Sequence, residues 1–336
     1  MLQVLEVREV MRDFRELWRN VQAAGRHVCV GLDSELAKIP GYVKLAGANA
    51  PISIAWRALA TVKMSQVLDP GVGVEAARIL QTEISRMALK SEVCQTILAF
   101  NQGIVSANLG VVRVFKINLA FYLSELGAGI DALIATIAYI HAVAPDAIVI
   151  LDAKFGDIGN TNDAYVRFLD LVGADAVTLH GYLGKAGSLD VFLSRPDKGC
   201  FVLCHTTNPG ATEFQEKLLV ESDGPGLPLY EEVAIYAKCW NENGNIGLVA
   251  GATYPVELGR IREIYDGPLL IPGIGKQAGA LRGSLLAARN GDGEINAVVN
   301  MSRNAIFVSD GGDNEARSGE VVAELHQEIT GILAAA

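Results

Sequence analysis

The chain has 336 residues, half of them hydrophobic, with 35 glycines and a formal net charge of −10 at pH 7. Such a composition supplies a sizeable core and suits an α/β enzyme with many tight turns, and it does not resemble that of a disordered chain. The acidic balance argues against a non-specific binder of nucleic acid or anionic membrane, so the site of an anionic ligand has to be locally basic.

In chain order, residues 5–22 carry apolar side chains at helical spacing among Glu, Arg and Asp, without the continuous apolar core of a signal peptide. Short apolar runs bounded by Gly, Asp or Pro follow at 27–33, 111–118, 147–154, 175–180, 199–207, 246–253, 269–275 and 297–302. Helical patterns lie between or after them at 96–105, 132–143, 163–172, 231–240, 256–265, 277–289 and 319–333. Strands apolar on both faces and alternating with helices imply a parallel sheet covered by helices. A roughly eightfold count favours closure, and the sequence predicts a single (β/α)8 TIM barrel over 1–336, with 5–22 capping its bottom. The interval 42–91 is too long for a simple connection after the first strand and reads as an insertion: a lid, an extra helical element or a contact surface.

The five cysteines, 29, 94, 200, 204 and 239, are scattered and mostly embedded in apolar runs, which favours buried reduced thiols over disulfides. Cys204 and His205 fall on opposite faces of a strand, so a shared metal ion is not expected. No run approaches the roughly 18 uncharged apolar residues of a membrane span. A soluble, cytoplasmic protein is the expectation.

The chemistry concentrates at strand ends. Ala147-Ile148-Val149-Ile150-Leu151 runs into Asp152-Ala153-Lys154-Phe155-Gly156-Asp157, and strand alternation points Asp152 and Lys154 the same way. An isolated pair of this kind is often a salt bridge closing a strand. Here Asp157 follows, and other tips are polar too: Asp33, Lys116, His180, Thr207, Thr253 and Arg303 just beyond the eighth run. Two lysines and two or three aspartates at one barrel mouth form an alternating charge network with coupled titrations. Pro272-Gly273-Ile274-Gly275-Lys276-Gln277 with Arg303 reads as an anion cradle, at the corner where barrels hold phosphate.

The stretch Asp152-Ala-Lys154-Phe-Gly-Asp157-Ile158-Gly-Asn-Thr161 closely resembles the D-x-K-x-x-D-I-x-x-T motif of the orotidine 5′-monophosphate (OMP) decarboxylase family. Val30-Gly31-Leu32-Asp33, Phe115-Lys116-Ile117-Asn118, Thr207-Asn208-Pro209-Gly210, Gly251-Ala252-Thr253 and Ser302-Arg303 extend the likeness to its longer bacterial class. The resemblance implies cofactor-free decarboxylation of OMP to UMP in pyrimidine biosynthesis. Lys154 would be the proton donor, Asp152 would lie against the departing carboxylate, and Lys116 and Asp33 would hold the ribose. Asp157, Ile158 and Thr161 belong to the motif part that would reach a neighbouring subunit's site in a homodimer. Thr207 would meet the pyrimidine, Gln277 would bridge base and phosphate, and Arg303 with Gly275 would hold the phosphate. Asn118, where long-class relatives commonly have Pro, and Ala278, which interrupts a Gly-Gly, are departures that remove no charged position.

Three other readings compete. A Mg2+-dependent sugar-phosphate decarboxylase or synthase of the same suprafamily needs a further acidic ligand at a neighbouring strand end, where Lys116 and His180 stand instead. A catalytically silent phosphate-ligand-binding barrel would bind nucleotide without releasing CO2. A Schiff-base aldolase would need Lys154 neutral, which flanking carboxylates oppose.

Overall fold

The computed structural model describes residues 12–43, 92–220, 226–273 and 278–335. Each of the eight apolar runs forms a strand: β1 Val28–Gly31, β2 Val114–Asn118, β3 Ile148–Phe155, β4 Ala176–Leu179, β5 Gly199–His205, β6 Ile246–Ala250, β7 Leu269–Pro272 and β8 Ala297–Met301. They pair in parallel in chain order, and β8 pairs back onto β1, so the barrel is closed. A small antiparallel ribbon, Leu218–Leu219 with Leu227–Pro228, stands outside it.

The period of two along each strand sorts side chains into two cores. Outward residues such as Val28, Val30, Phe115, Ile117, Val149 and Leu151 pack under the surrounding helices. Inward residues Cys29, Val114, Ile148, Ile150, Ala176, Phe201, Val249, Leu270 and Val298 fill the barrel's interior. The interior is therefore solid below and polar only at its upper rim, where Lys116, Asp152 and Asn300 continue the same inward rows.

Helix α1 (Phe14–Ala23) closes the bottom, as its amphipathic spacing predicts. Asp13 caps it by accepting a 2.9 Å hydrogen bond from the Arg15 N–H. Phe14 and Trp18 drive their rings onto Phe201 inside the barrel, at centroid distances of 5.9 and 5.6 Å. Nearby, Asp175 at the foot of β4 accepts from Arg12 at 2.6 Å and from the Val149 N–H at 2.8 Å, and lies 3.0 Å from the His141 ring. These contacts pin α1 and the residues just before it to the barrel floor.

The outer layer comprises α2 Glu92–Asn108, α3 Leu126–Val143, α4 Gly159–Val172, α5 Leu229–Trp240, α6 Pro255–Ile264, α7 Ala278–Ala287 and α8 Asn314–Ala334. Short helical turns accompany them, and Asn118 caps one, Leu119–Leu123, through a 3.2 Å bond from the Ala120 N–H. By length and composition α3 is apolar enough to cross a membrane, but Asp131 interrupts it, so it is not an uncharged run. In the fold, α3 buries Ala132, Leu133, Thr136, Ile137 and Ile140 and packs against α2 and α4. Most of the expected insertion, residues 44–91, and the start of the expected leading helix, 5–11, lie outside the described residues.

Candidate active site

Strand register brings the rim charges together. Lys116 is level with Ile150 and Asn118 with Asp152, so Lys116 and Asp152 are inward neighbours one pleat apart on adjacent strands. The Lys116 ammonium lies 3.0 Å from Asp152 Oδ2 and 3.5 Å from Asp33 Oδ1, just beyond β1. Lys154 closes the row, with its ammonium 2.6 Å from Asp152 Oδ1. The order Asp33, Lys116, Asp152, Lys154 alternates in sign around the rim.

Local backbone geometry at Lys154 departs from the simple strand reading. Its φ is +55°, in the left-handed region that few residues other than glycine adopt. The β3–β4 register shifts there: Leu151 faces Val177, yet Phe155 faces Leu179, so Asp152, Ala153 and Lys154 together stand opposite Thr178. The bulge still leaves the Lys154 amine against Asp152. Thr178 anchors it, accepting 2.9 Å from the Lys154 N–H and donating 2.8 Å to Asp152 Oδ1.

Burial and charge oppose each other at this network. Burial pushes the Asp152 carboxyl up, but the ammonium groups of Lys116 and Lys154 outweigh it and bring the carboxyl down to about 2. For Lys116, only 5% exposed, burial favours the neutral amine, yet Asp152 and Asp33 overcome this and raise its pKa. Both groups are therefore charged at neutral pH. Asp33 Oδ1 is buried and, apart from the 3.5 Å ion pair, has no hydrogen-bond partner, leaving an acceptor for a ligand donor.

The charges line a cavity of about 830 Å³, whose apolar lining includes Leu203, Val249 and Leu270. Thr207, Gly273, Ser302 and Arg303 also line it, the last two just beyond β8, beside β1. Two glycines make this lining possible. A Cβ at Gly31 would lie 1.9 Å from Ser302 Oγ, and one at Gly273, where φ is +91°, would lie 2.5 Å from Thr207 Cγ2. The volume suits a nucleotide-sized ligand, and its lining carries an arginine besides the alternating charges.

Of the residues singled out from the sequence, Asp33, Lys116, Asp152, Lys154, Thr207 and Arg303 line this one cavity. Asp157, Ile158 and Thr161 do not; they follow β3 on the rim, where Ile158 is 60% exposed and the Asp157 carboxylate accepts from the Ile158 N–H at 2.7 Å. Gly275 and Gln277 lie outside the described residues. His180 and Thr253, also taken as strand tips, are not in the lining; the His180 ring packs over Gly156 instead. Thr178 and Asn300 line the site and were not anticipated, although each sits two residues after an inward apolar neighbour, Ala176 or Val298, and so was placed by alternation. Cys204 and His205 diverge as expected: the thiol donates to Tyr230 O at 3.1 Å, and the ring lies 3.2 Å from Glu216 Oε1. Among the described residues no group of three His, Cys, Asp or Glu side chains is placed to hold a metal.

Comparison with known proteins gives a consistent result. The model of the family described as orotidine 5′-phosphate decarboxylase / HUMPS matches residues 102–316. The chain is 45% identical over 231 residues to the orotidine 5′-phosphate decarboxylase of Herpetosiphon aurantiacus, covering 68% of this chain and 81% of that one. It is 43% identical over 227 residues to the enzyme of the same name from Thermomicrobium roseum, covering 67% and 76% respectively. Among solved structures, OMP decarboxylase of Leishmania donovani matches with a TM-score of 0.68 at 29% identity, over 96% of this chain and 100% of that one. With its barrel closed and its motif lysines and aspartates gathered at one rim, the chain belongs to the orotidine 5′-phosphate decarboxylase / HUMPS family.

Proposed function

We propose that this chain decarboxylates OMP to UMP, with Lys154 as proton donor and no cofactor. The observation that carries the reading is the alternating row Asp33, Lys116, Asp152 and Lys154, held within 2.6–3.5 Å at the edge of a nucleotide-sized cavity. When the bond from the pyrimidine ring to the carboxylate breaks, CO2 departs and its electron pair stays on the ring carbon. A fixed ammonium beside that carbon stabilises the developing charge and then delivers its proton to it, and the neutral amine regains a proton from water. Asp152, kept ionised by two lysines, lies against the substrate carboxylate and is relieved as that charge leaves as CO2.

The remaining roles follow position. Asp33 and Lys116 hold ribose hydroxyls, and the unsatisfied Asp33 oxygen supports this role. Thr207 meets the pyrimidine, and Gln277 bridges base and phosphate. Arg303, together with Gly275, binds the phosphate. Contacts at that distant end lower the barrier by orienting the ring, so truncated substrates lose rate as well as affinity. Asp157, Ile158 and Thr161 serve the site of a second copy in a homodimer; their position off their own cavity and the exposure of Ile158 support that assignment. The enzyme works in the cytoplasm as part of pyrimidine biosynthesis, and it binds neither nucleic acid nor membrane, a reading that its acidic balance supports.

A metal-dependent sugar-phosphate reaction fits less well, because both oxygens of Asp152 already face ammonium groups. The intact charge row likewise disfavours a silent binding barrel. A spectrophotometric assay of OMP consumption, run with a chelator, tests the reading: unchanged turnover supports it, and activity that requires added Mg2+ overturns it.

A further inference from the structure

Thr178 sits on β4 two residues after Ala176, on the inward face, and is 1% exposed. Its hydroxyl has two partners, and both belong to the D-x-K segment: the Lys154 N–H donates to it at 2.9 Å, and it donates to Asp152 Oδ1 at 2.8 Å. The same Asp152 oxygen holds the Lys154 ammonium at 2.6 Å. The ionised carboxylate can only accept and the backbone N–H can only donate, so the single hydroxyl proton goes to Asp152. A closed ring results: Lys154 backbone, Thr178, Asp152, Lys154 ammonium.

The ring forms where the sheet gives way. Between the Leu151–Val177 and Phe155–Leu179 pairings, β3 has Asp152, Ala153 and Lys154 opposite Thr178 alone. Lys154 sits at φ +55°, a conformation that a non-glycine residue holds only when its surroundings impose it. In place of a ladder bond, the Thr178 side chain supplies the acceptor for the Lys154 N–H.

We propose that Thr178 is a positioning residue for the decarboxylation: one hydroxyl fixes both the left-handed turn at Lys154 and the rotamer of Asp152, and so sets where the Lys154 ammonium meets the reacting carbon. The inference rests on the reading of Lys154 as proton donor. It assigns to Thr178 an effect on rate, transmitted through the two charged groups, and little effect on substrate binding.

The test compares Thr178→Val, which keeps the volume but removes the donor and acceptor, with Thr178→Ser, which keeps the hydroxyl but removes the methyl. Steady-state kinetics on OMP, UMP affinity by calorimetry and thermal melting are measured for both. In Thr178→Val, kcat is expected to fall about 10- to 100-fold while KM and UMP affinity stay within about 3-fold, because misplacement of a reacting group costs rate rather than binding. Thr178→Ser is expected to recover kcat to within about 3-fold of wild type. Unchanged kcat in Thr178→Val overturns the proposal. So does a loss confined to KM, or a Thr178→Ser enzyme as slow as Thr178→Val, which would assign the role to methyl packing. Should Thr178→Val fail to fold, Thr178→Ala set against Thr178→Ser reads the same contrast, and equal rates in that pair overturn the proposal. Wild-type enzyme inert toward OMP fails the functional reading itself, an outcome distinct from an active wild type whose Thr178 variants are equally active.

Discussion

The Lys116 ammonium and the Asp152 carboxylate meet at 3.0 Å from inward positions on adjacent strands, nearly closed off from solvent. Two charges at the top of an otherwise apolar barrel interior are stable only as members of a paired set, because each isolated ion would lose its hydration without compensation. The row from Asp33 to Lys154 is that set, and it exposes its last member, Lys154, to the cavity.

Replacing Lys116 by Met leaves Asp33 without its 3.5 Å partner and Asp152 with one ammonium in place of two. Breaking a buried pair from one side costs about 3–5 kcal/mol, and Lys154 and Thr178 retain part of the compensation here, so a loss of roughly 2–3 kcal/mol is expected. Urea unfolding at pH 7 measures it. Stability equal to wild type would mean that the pair contributes nothing to the fold.

Acid should weaken the barrel floor through Asp175. Burial alone would raise this carboxyl, but the His141 ring and the Arg12 guanidinium hold it well below the ordinary value of 3.8. A group whose folded pKa is depressed contributes stability above its unfolded pKa and loses it as pH falls toward the folded one. Wild-type stability should therefore decline below about pH 4, and Asp175→Asn should be less stable at neutral pH with a flatter acid limb. Denaturation midpoints at pH 7 and pH 3.5 check this; an equally steep acid limb in the variant would refer the decline to other carboxylates.

Gly31→Ala is expected to damage the cavity wall at Arg303. The new Cβ would lie 1.9 Å from Ser302 Oγ, and moving Ser302 drags Arg303 with it. A rise in KM for OMP of about 10-fold or more, beside an overpacking cost of about 1–3 kcal/mol, is the expected outcome. Unaltered KM would detach Arg303 from substrate binding.

Mixing inactive Asp157→Ala and Lys154→Ala subunits tests the shared site. Random pairing makes half the dimers hybrid, each with one intact site, so recovery of about a quarter of wild-type activity is expected from the symmetry. No recovery, with subunit exchange demonstrated, would place Asp157 in the service of its own chain.

Much of this was legible in the sequence because apolar runs ending in charge mark barrel strands that end in a site. Lys116 and Asp152, legible as polar tips of such runs, stand on the inner face above Val114 and Ile150. What alternation could not give is the bulge at Lys154: a left-handed lysine has no sequence signature, and regular strand geometry assumes it away. Thr178 was overlooked for a related reason, since a threonine in an apolar strand reads as a β-former until its two partners are known. Strand tips such as His180 and Thr253 were overextended, because the charged and polar residues after a strand belong equally to the loop that follows. The spacing at 132–143 reads as an outer helix, and the packing of α3 against α2 and α4 is that of one.

The most direct test of the account is the turnover of OMP by wild type and Lys154→Ala in the presence of chelator, with UMP binding measured on both. The account predicts an active wild type, and a Lys154→Ala enzyme that binds UMP but loses at least about three orders of magnitude in kcat, as expected when both charge stabilisation and proton delivery go. Near-wild-type turnover in Lys154→Ala would contradict it.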